Sequence, residues 1–440
     1  VMGKPEENLG DSLDGFIADL TEAVIIDHLA NPLTDPGGIL GRATTRLVYD
    51  LFAYQRTKDQ PDPQPAVAYA LARETHDSDP APASGLKIQH SFSYSDGFGR
   101  EIQKKIQAEP GPLIPDEPAF DPRWVGSGWT IFNNKGKPVR QYEPFFSATH
   151  RFEFGVQVGV GPILLYDPVG RAVATLRPNH TYEKVVFDPW RQVTWDVNDT
   201  TKPPATTAGP AFDPKDDPDV GQYFERLPDT DYLPTWHNLR MDPTKAQQAW
   251  PDVDANGQPL PDNVSRRAAE QRAAAKATIH GSTPTAAYFD TLGRPFLTQA
   301  DNGPDPAKPG DRLLFATRVA LDIEGNQRAV RDAIEQAGDR QGRIVMRYAY
   351  DMLGNRIHQL SMEAGARWML SDVAGKPIRS WDDRGHSFRT EYDPLRRPLR
   401  IFVTGADSTN PGQELLTERL VYVAQHAQAA LTNLRGKLYF

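Results

Sequence analysis

The feature that most constrains the fold of this chain is a short turn signature that recurs ten times. An aromatic or other apolar residue is followed by Asp-x-x-Gly and then usually by a basic or polar residue, as at 166–171, 289–294 and 350–355. A catalytic site is normally built once, whereas this unit is built repeatedly. The repetition therefore favours a structural scaffold over a catalytic site.

The residue types explain why the signature marks a turn. A type I turn favours Asp at its first position, Pro at its second and Gly at its fourth. Gly takes the left-handed conformation that closes a three-residue hairpin loop with a bulge. Seven copies keep both Asp and Gly, and these predicted structural turn residues are Asp96, Gly99, Asp167, Gly170, Asp290, Gly293, Asp322, Gly325, Asp351, Gly354, Asp372, Gly375, Asp382 and Gly385.

Three copies depart from the pattern. Asn133 replaces Asp in one of them, while Arg191 and Arg396 occupy the Gly position after Asp188 and Asp393. We expect the two turns with Arg to be slightly strained or of another type, because a residue with a side chain enters the left-handed region at a cost.

The spacing of the copies predicts the strands between them. Turns 21 residues apart, as at Asp351 and Asp372, leave room for two strands and one opposite turn. Turns 10 or 11 residues apart, as at Asp372, Asp382 and Asp393, leave room for one strand each. The flanking segments mix β-branched and aromatic residues as strands do. The sequence thus predicts a mainly β fold, an antiparallel meander of short strands.

The turns also predict how the chain is organised. Residues 1–90 are a lead-in without a clear copy, in which an apolar pattern (Leu13, Phe16, Ile17, Leu20, Val24) predicts a helix within 12–30. Residues 91–200 and 286–412 are two repeat blocks. Between them, 201–285 is an insertion rich in Pro and acidic residues, with a helix near 264–278. Residues 413–440 read as the start of a further, truncated repeat.

Composition excludes several classes of function. The 440 residues contain no Cys, so disulfides, zinc–thiolate sites and Cys nucleophiles are ruled out. The net charge is −9 and no long basic run occurs, so nucleic acid is not an expected partner. The chain contains no apolar run long enough for a membrane span. No dinucleotide fingerprint, phosphate loop or His spacing typical of a metal site is found, so no cofactor or metal is expected.

Paired carboxylates offer one catalytic hypothesis. Asp167-Pro168-Val169-Gly170 is followed by a second Asp-Pro at Asp188, and two carboxylates sharing a proton can cut a peptide bond. The second Gly is missing, and ordinary turn chemistry explains the same residues. The sequence favours the structural interpretation, and we expect no enzyme.

Two binding hypotheses remain open beside their structural explanations. Asp252 and Asp254 open a segment similar to a calcium loop, but Pro259 and Pro261 do not suit an EF-hand, and a solvated acidic turn is the favoured explanation. The tryptophans of the repeats are candidates for stacking on sugars or for cross-strand packing; they are Trp190, Trp195, Trp368 and Trp381.

The turns resemble the YD repeats of RHS proteins over residues 91–200 and 286–405. Within that superfamily the chain resembles the RHS-containing B component of bacterial tripartite insecticidal toxin complexes, through segments 41–46, 186–191, 351–357 and 393–398. The resemblance implies a long β-sheet that winds in a spiral into a hollow shell around a cytotoxic segment. It also implies two partners in the same toxin, a cargo-bearing RHS component and a pore-forming component.

Two functions from different classes follow from these observations. The first is a structural segment of an encapsulating shell in a secreted virulence factor. The alternative is an extracellular module that binds carbohydrate or another cell, as YD-repeat proteins on cell surfaces suggest.

Overall fold

The structure is a computed structural model that describes residues 13, 15–77, 80, 82, 85–201, 212–423 and 436–439. Much of the predicted tail, 424–435 and 440, lies outside these described residues. Strands account for 37% and helices for 16% of the structure, so the prediction of a mainly β fold is confirmed. The chain divides into two compact units, Val1–Asn179 and His180–Phe440, which are called unit 1 and unit 2.

Unit 1 combines three helices with twelve strands. The helices are α1 (Glu22–Ala30), α2 (Pro36–Leu40) and α3 (Ala53–Thr57). The strands are β1 (Thr45–Asp50), β2 (Ala66–Arg73), β3 (Ile88–Ser95), β4 (Glu101–Ala108), β5 (Gly111–Pro112), β6 (Ala119–Phe120), β7 (Arg123–Gly126), β8 (Thr130–Phe132), β9 (Pro138–Gln141), β10 (Phe145–Ser147), β11 (Ile163–Tyr166) and β12 (Ala172–Leu176).

A six-stranded sheet with the order β1-β2-β3-β4-β7-β10 carries the core of unit 1. Alternate residues of its strands point to one buried face, where Phe92 stacks on Tyr69 with ring centroids 4.3 Å apart and meets Trp124 edge-on at 5.5 Å. Strand β2, from the predicted lead-in, pairs with β1 on one side and with β3 on the other, and β3 pairs with β4 of the predicted first block. The remaining strands of unit 1 pair as β8-β9-β11-β12 and as β5-β6.

The helix predicted within 12–30 is shorter than its apolar pattern suggested. It begins at Glu22, where the Thr21 side chain accepts a hydrogen bond from the Val24 N–H and caps the helix. Phe16 and Leu20 precede the helix and pack against the core from irregular backbone. Of the five residues in the pattern, Phe16 and Leu20 are core contacts, whereas Leu13, Ile17 and Val24 are exposed. The pattern therefore overstated both the helix and its buried face, because irregular chain can present apolar side chains without a helical period.

Unit 2 contains four helices and thirteen strands. The helices are α4 (Gly221–Phe224), α5 (Trp236–Met241), α6 (Pro243–Ala249) and α7 (Pro261–Ile279). The strands are β13 (Tyr182–Phe187), β14 (Arg191–Trp195), β15 (Thr285–Phe289), β16 (Pro295–Pro304), β17 (Arg312–Leu321), β18 (Gln327–Arg331), β19 (Ile344–Tyr350), β20 (Arg356–Ser361), β21 (Gly365–Ser371), β22 (Pro377–Asp382), β23 (Ser387–Tyr392), β24 (Pro398–Thr404) and β25 (Glu414–Arg419). Each strand from β13 onwards pairs antiparallel with the next one in the chain.

The described part of the segment predicted as an insertion, from residue 212 onwards, is largely helical and precedes β15. It packs on one face of β13 and β14, where the buried Lys184 ammonium lies 2.8 Å from an Asp217 oxygen and 2.7 Å from an Asp219 oxygen. Phe224 packs edge-on against Tyr182 at 5.1 Å. The insertion therefore gives the start of unit 2 a second layer.

Among the described residues, no second layer covers the strands β15–β25. Of all residues in these described strands, only Gly303, Ala366 and Val403 are buried. Leu314 and Phe315 are adjacent on β17 and so point to opposite faces, yet they are 46% and 47% exposed. Both faces of this part of the sheet are thus accessible.

The two faces of β15–β25 differ in chemistry, because directly paired residues lie on the same side of a sheet. One face, here called the apolar face, carries Phe296, Phe315, Val319, Val330, Met346, Met369, Phe388, Ile401 and Val403. The opposite face is mixed: it carries Arg318, Arg347, Arg379, Arg389 and Arg400 together with the apolar Leu297, Leu314, Leu360, Trp368, Leu370, Trp381 and Phe402.

Candidate functional site

The predicted turn residues form one repeated hydrogen-bonded unit, shown here for the turn at Asp290. The Asp290 N–H donates to the Arg294 carbonyl at 3.0 Å, and the Gly293 N–H donates to the Asp290 carbonyl at 2.9 Å. Oδ1 of Asp290 accepts the N–H groups of Leu292 and Arg294. Gly293 has a φ of +73°, which an L side chain adopts only at a cost.

The same two backbone hydrogen bonds recur in the other turns whose last residue is Gly. They begin at Asp96, Asn133, Asp167, Asp322, Asp351, Asp372 and Asp382. In each of them the Gly has a positive φ, between +74° and +92° for Gly99, Gly136, Gly170, Gly325, Gly354, Gly375 and Gly385. The structure therefore places every predicted turn residue in the same local geometry.

The residue after Gly also has a defined role. In most of the turns its side chain donates to Oδ2 of the turn Asp, with Arg294 Nε 2.7 Å from Asp290, Asn355 Nδ2 3.0 Å from Asp351, and His386 Nδ1 2.9 Å from Asp382. At Asp290, the hydrogen bond from the Arg294 N–H, together with that from its side chain, outweighs burial and lowers the pKa of the carboxyl. The preference for basic or polar residues at this position therefore has a physical cause.

The aromatic residue before Asp connects one turn to the next. The hydroxyl of Tyr350 donates to the Gln327 carbonyl at 3.0 Å, and that of Tyr392 donates to the Pro377 carbonyl at 2.7 Å. Each acceptor is the first residue of the strand that leaves the preceding turn at the same sheet edge. Sequence reasoning treated this tyrosine as an apolar flank, and its regular place before Asp was the available signal.

Arginines strengthen the connection between turns. Nη1 of Arg294 donates to the Asp322 carbonyl of the next turn at 3.2 Å. The Arg397 guanidinium lies 4.2 Å from the centre of the Tyr422 ring. Hydrogen bonds and cation–π contacts thus link several successive turns along one edge of unit 2, and these contacts are called the ladder.

The two turns with Arg in the Gly position differ from each other. Arg396 keeps the common geometry and adopts a φ of +60°, so its backbone is strained. At Asp188, the N–H donates to the Arg191 carbonyl at 2.8 Å, which makes the loop one residue shorter. The turn at Asp393 therefore keeps the common geometry at a conformational cost, whereas the turn at Asp188 is of a different, shorter type.

The segment considered for calcium is a further copy of the turn, which the sequence count missed. The Asp254 N–H donates to the Gln258 carbonyl at 2.8 Å, and Oδ1 of Asp254 accepts the Asn256 and Gln258 N–H groups. Asp252 pairs with Arg267 and accepts Gln247 Nε2 at 2.9 Å. Across the described ranges, no group of three or more His, Cys, Asp or Glu side chains is placed to hold a metal ion.

The carboxylates of the protease hypothesis are each engaged within their own turn. Oδ1 of Asp167 accepts the N–H groups of Val169 and Arg171, and Asp188 accepts the Trp190 N–H at 2.8 Å. A shared proton needs one carboxyl with a raised pKa. Burial raises the pKa of Asp167, but the hydrogen bonds from Arg171 outweigh it and the pKa is lowered.

The tryptophans are divided among different environments. Trp368 and Trp381 are direct cross-strand neighbours, and the His358 ring lies 5.1 Å from Trp368. The Lys184 ammonium lies 4.7 Å from the centre of the Trp195 ring, and Trp190 is exposed at a turn. Cross-strand packing accounts for the pair on β21 and β22.

Solved structures with the same fold are components of bacterial toxin complexes. The chain matches the crystal structure of TcdB2-TccC3 with 19% identity and a TM-score of 0.57, over 98% of this chain and 17% of that one. It matches the Photorhabdus luminescens Tc holotoxin pore with 19% identity and a TM-score of 0.53, over 95% of this chain and 17% of that one. The crystal structure of TcdB2-TccC3-Cdc42 matches with 19% identity and a TM-score of 0.54, over 96% of this chain and 18% of that one.

The chain therefore has the fold of RHS-containing toxin-complex proteins, as its turn signature predicted. It corresponds to about 17% of the length of TcdB2-TccC3. No family model and no curated protein matches the sequence. Within the described part of the chain, none of the helices has the length and apolar character needed to cross a membrane.

Proposed function

We propose that this chain forms part of the wall of an RHS-repeat shell that encloses a toxic polypeptide in a secreted virulence complex. It acts as structure, without a catalytic site or cofactor of its own. Its partners are the cargo-bearing RHS component and the pore-forming component of the same toxin. The fold shared with toxin-complex proteins supports the class of protein, and the sheet itself supports the role.

The observation that carries the proposal is the sheet β15–β25 with two accessible faces. A soluble sheet normally buries one face against another layer, whereas only three residues of these strands are buried. A wall that continues around a cavity, with an unfolded polypeptide against its apolar face, supplies the missing layer and removes exposed strand edges. A flat surface for sugars would not require an apolar face of this extent.

Electron microscopy of the complete protein that carries this chain, co-expressed with its cargo-bearing partner, tests the proposal. We expect a closed particle with an internal cavity and a cargo segment that resists protease until the particle is denatured. A solid particle, or a cargo segment cleaved as fast as free cargo, would contradict it. Binding to a glycan array by a particle without a cavity would favour the alternative function instead.

A further inference from the structure

Three histidines meet in the core of unit 1 and join three parts of the chain. His28 lies on α1, His90 on β3, and His150 in the segment that follows β10. His90 Nδ1 lies 2.6 Å from the Tyr69 hydroxyl, and His150 Nε2 lies 2.9 Å from the Leu29 carbonyl of α1. These three residues are called the histidine cluster.

Aromatic rings surround the histidine cluster. The His28 ring lies 5.5 Å from Tyr69, and the His150 ring lies 4.9 Å from Phe92. Nε2 of His28 is buried and has no hydrogen-bond partner among the described residues. An imidazole in such surroundings is far more stable neutral than charged.

The charged groups facing the cluster do not favour a further positive charge. Arg46 on β1 and Lys105 on β4 are both buried, and Arg46 donates to the carbonyls of Ile17 and Ile39. Lys105 is paired with Glu153, the acidic group of the segment after β10, so Glu153 is already engaged. Arg151 of the same segment adds positive charge near His150.

Two acidic groups face the cluster from the helices. Asp27 on α1 and Asp35 at the start of α2 both raise the pKa of His28, and Tyr69 and Tyr94 are the other titratable groups of the sheet face. Asp27 is exposed, and Asp35 accepts the Gly38 N–H as the cap of α2. Burial outweighs both carboxylates and lowers the pKa of His28.

Helix α1 lies on the sheet through contacts of several kinds, and two of them involve the histidine cluster. None of its residues is fully buried, and Ile25 and Leu29 pack against the core while partly exposed. Its polar contacts include the Leu29 carbonyl with His150 and Glu22 with Arg56 of α3, and its aromatic contact is His28 with Tyr69. The sheet beneath is held by its own ladder and by fully buried rings, so it does not depend on α1 to the same degree.

We propose that the histidine cluster is an acid-sensitive latch, in which neutral imidazoles hold α1 on the sheet and their protonation releases it. This regulatory device goes beyond the proposed function of the wall. Release of α1 requires no change in unit 2 and leaves the strand pairing of unit 1 intact. It exposes the apolar sheet face around Tyr69 and Phe92.

The direction of the pH effect follows from the buried state of the imidazoles. Burial lowers the pKa of all three histidines, and that of His90 falls to about 4. The folded state then binds fewer protons than the unfolded state. The stabilisation of the folded state by the neutral histidines is therefore complete above about pH 6.5 and is lost as the pH falls. The window for release therefore extends from about pH 6.5 towards about pH 4.

Hydrogen exchange of the whole chain, corrected for the intrinsic pH dependence of exchange, tests the latch. Between about pH 7.5 and about pH 5, we expect the amides of α1 to lose at least about tenfold in protection, while those of β15–β25 keep theirs. Unchanged protection of α1 in the wild-type protein would overturn the proposal.

Variants that cannot be protonated separate the latch from general acid effects. The triple variant His28→Gln, His90→Asn, His150→Gln keeps an acceptor near Tyr69 and a donor near Leu29, and we expect α1 to stay protected at about pH 5. His358→Gln in unit 2 is the matched control and should behave like the wild type. If the triple variant does not fold, His90→Asn alone must shift the release of α1 to lower pH, and an unshifted release would refute the latch.

Discussion

At the scale of single residues, each position of the repeated signature has its own physical task. Asp accepts two backbone N–H groups, Gly supplies the positive φ, and the residue after Gly binds the second carboxylate oxygen, as Asp290, Gly293 and Arg294 show. Asp and Gly were predictable because turn chemistry is local. The partner of a tyrosine hydroxyl such as that of Tyr350 was not, because it lies on another hairpin.

The strain at Arg396 can be measured by comparing two substitutions at the same position. Arg396→Gly and Arg396→Ala both remove the guanidinium and its contacts with Asp372 and Tyr392. Only Gly accepts the φ of +60° without a Cβ penalty. We expect the free energy of unfolding of the Gly variant to be about 1 kcal/mol higher than that of the Ala variant. Urea denaturation followed by circular dichroism measures both values. Equal stabilities would contradict a strained turn.

Protonation of the turn carboxylates should destabilise the folded chain in a lower pH range than protonation of the histidine cluster. The pKa of Asp290 is lowered in the folded chain, so its contribution is complete above the unfolded value near about pH 4 and is lost below it. We expect the stabilisation by these carboxylates to persist at mildly acidic pH, and the urea midpoint of unit 2 to fall as they are protonated below about pH 4.

Asp290→Asn is the matched test of that assignment. An Asn accepts the same backbone N–H groups, as Asn133 does in its own turn, but it does not titrate. The variant should therefore show a weaker dependence of stability on pH than the wild type. The same dependence in both proteins would show that the acid effect arises elsewhere.

At the scale of elements, the hairpins of unit 2 are held together by contacts between successive turns. Strand positions were predictable from the spacing of the signature, because each hairpin needs a fixed length of chain. The bulge that precedes most of the turns, for example between Tyr288 and Phe289 or between Ala349 and Tyr350, follows from the same loop. The way in which one hairpin supports the next depends on register, which single turns do not specify.

Removing one turn-to-turn hydrogen bond should destabilise the ladder. Tyr350→Phe deletes the bond to the Gln327 carbonyl, and we expect the free energy of unfolding to fall by about 0.5–1.5 kcal/mol. Tyr348→Phe on the same strand is the matched control, and it should change the free energy less. Urea denaturation of both variants provides the comparison, and an equal loss in both would argue against a specific role for the ladder.

At the scale of the whole molecule, the strands β15–β25 form a sheet whose faces are both accessible. Its apolar face, with Phe315 on β17 and Phe388 on β23, has the composition of a surface that becomes covered in the working assembly. Repetition in the sequence indicated an extended sheet. Which side of that sheet is apolar emerged only from the pairing register, since a shift of one residue exchanges the faces.

The exposed apolar face predicts self-association of the isolated chain. Phe315→Glu places a charge on that face at a position that is 47% exposed, so we expect weaker association in sedimentation or light scattering with little change in melting temperature. Thr317→Glu lies on the same face and strand and adds the same charge without removing an apolar group. Wild-type protein that stays monomeric at high concentration would contradict the prediction.

The sequence by itself determined where this chain turns, that it is mainly β, and the class of fold it shares, because turn chemistry and strand length are local properties. Tertiary structure decided the rest. It brought His28, His90 and His150 together from distant segments, and it joined successive turns through hydroxyls such as that of Tyr350. It also left β15–β25 without a covering layer. These properties depend on pairing and burial across long sequence distances, which no local pattern encodes.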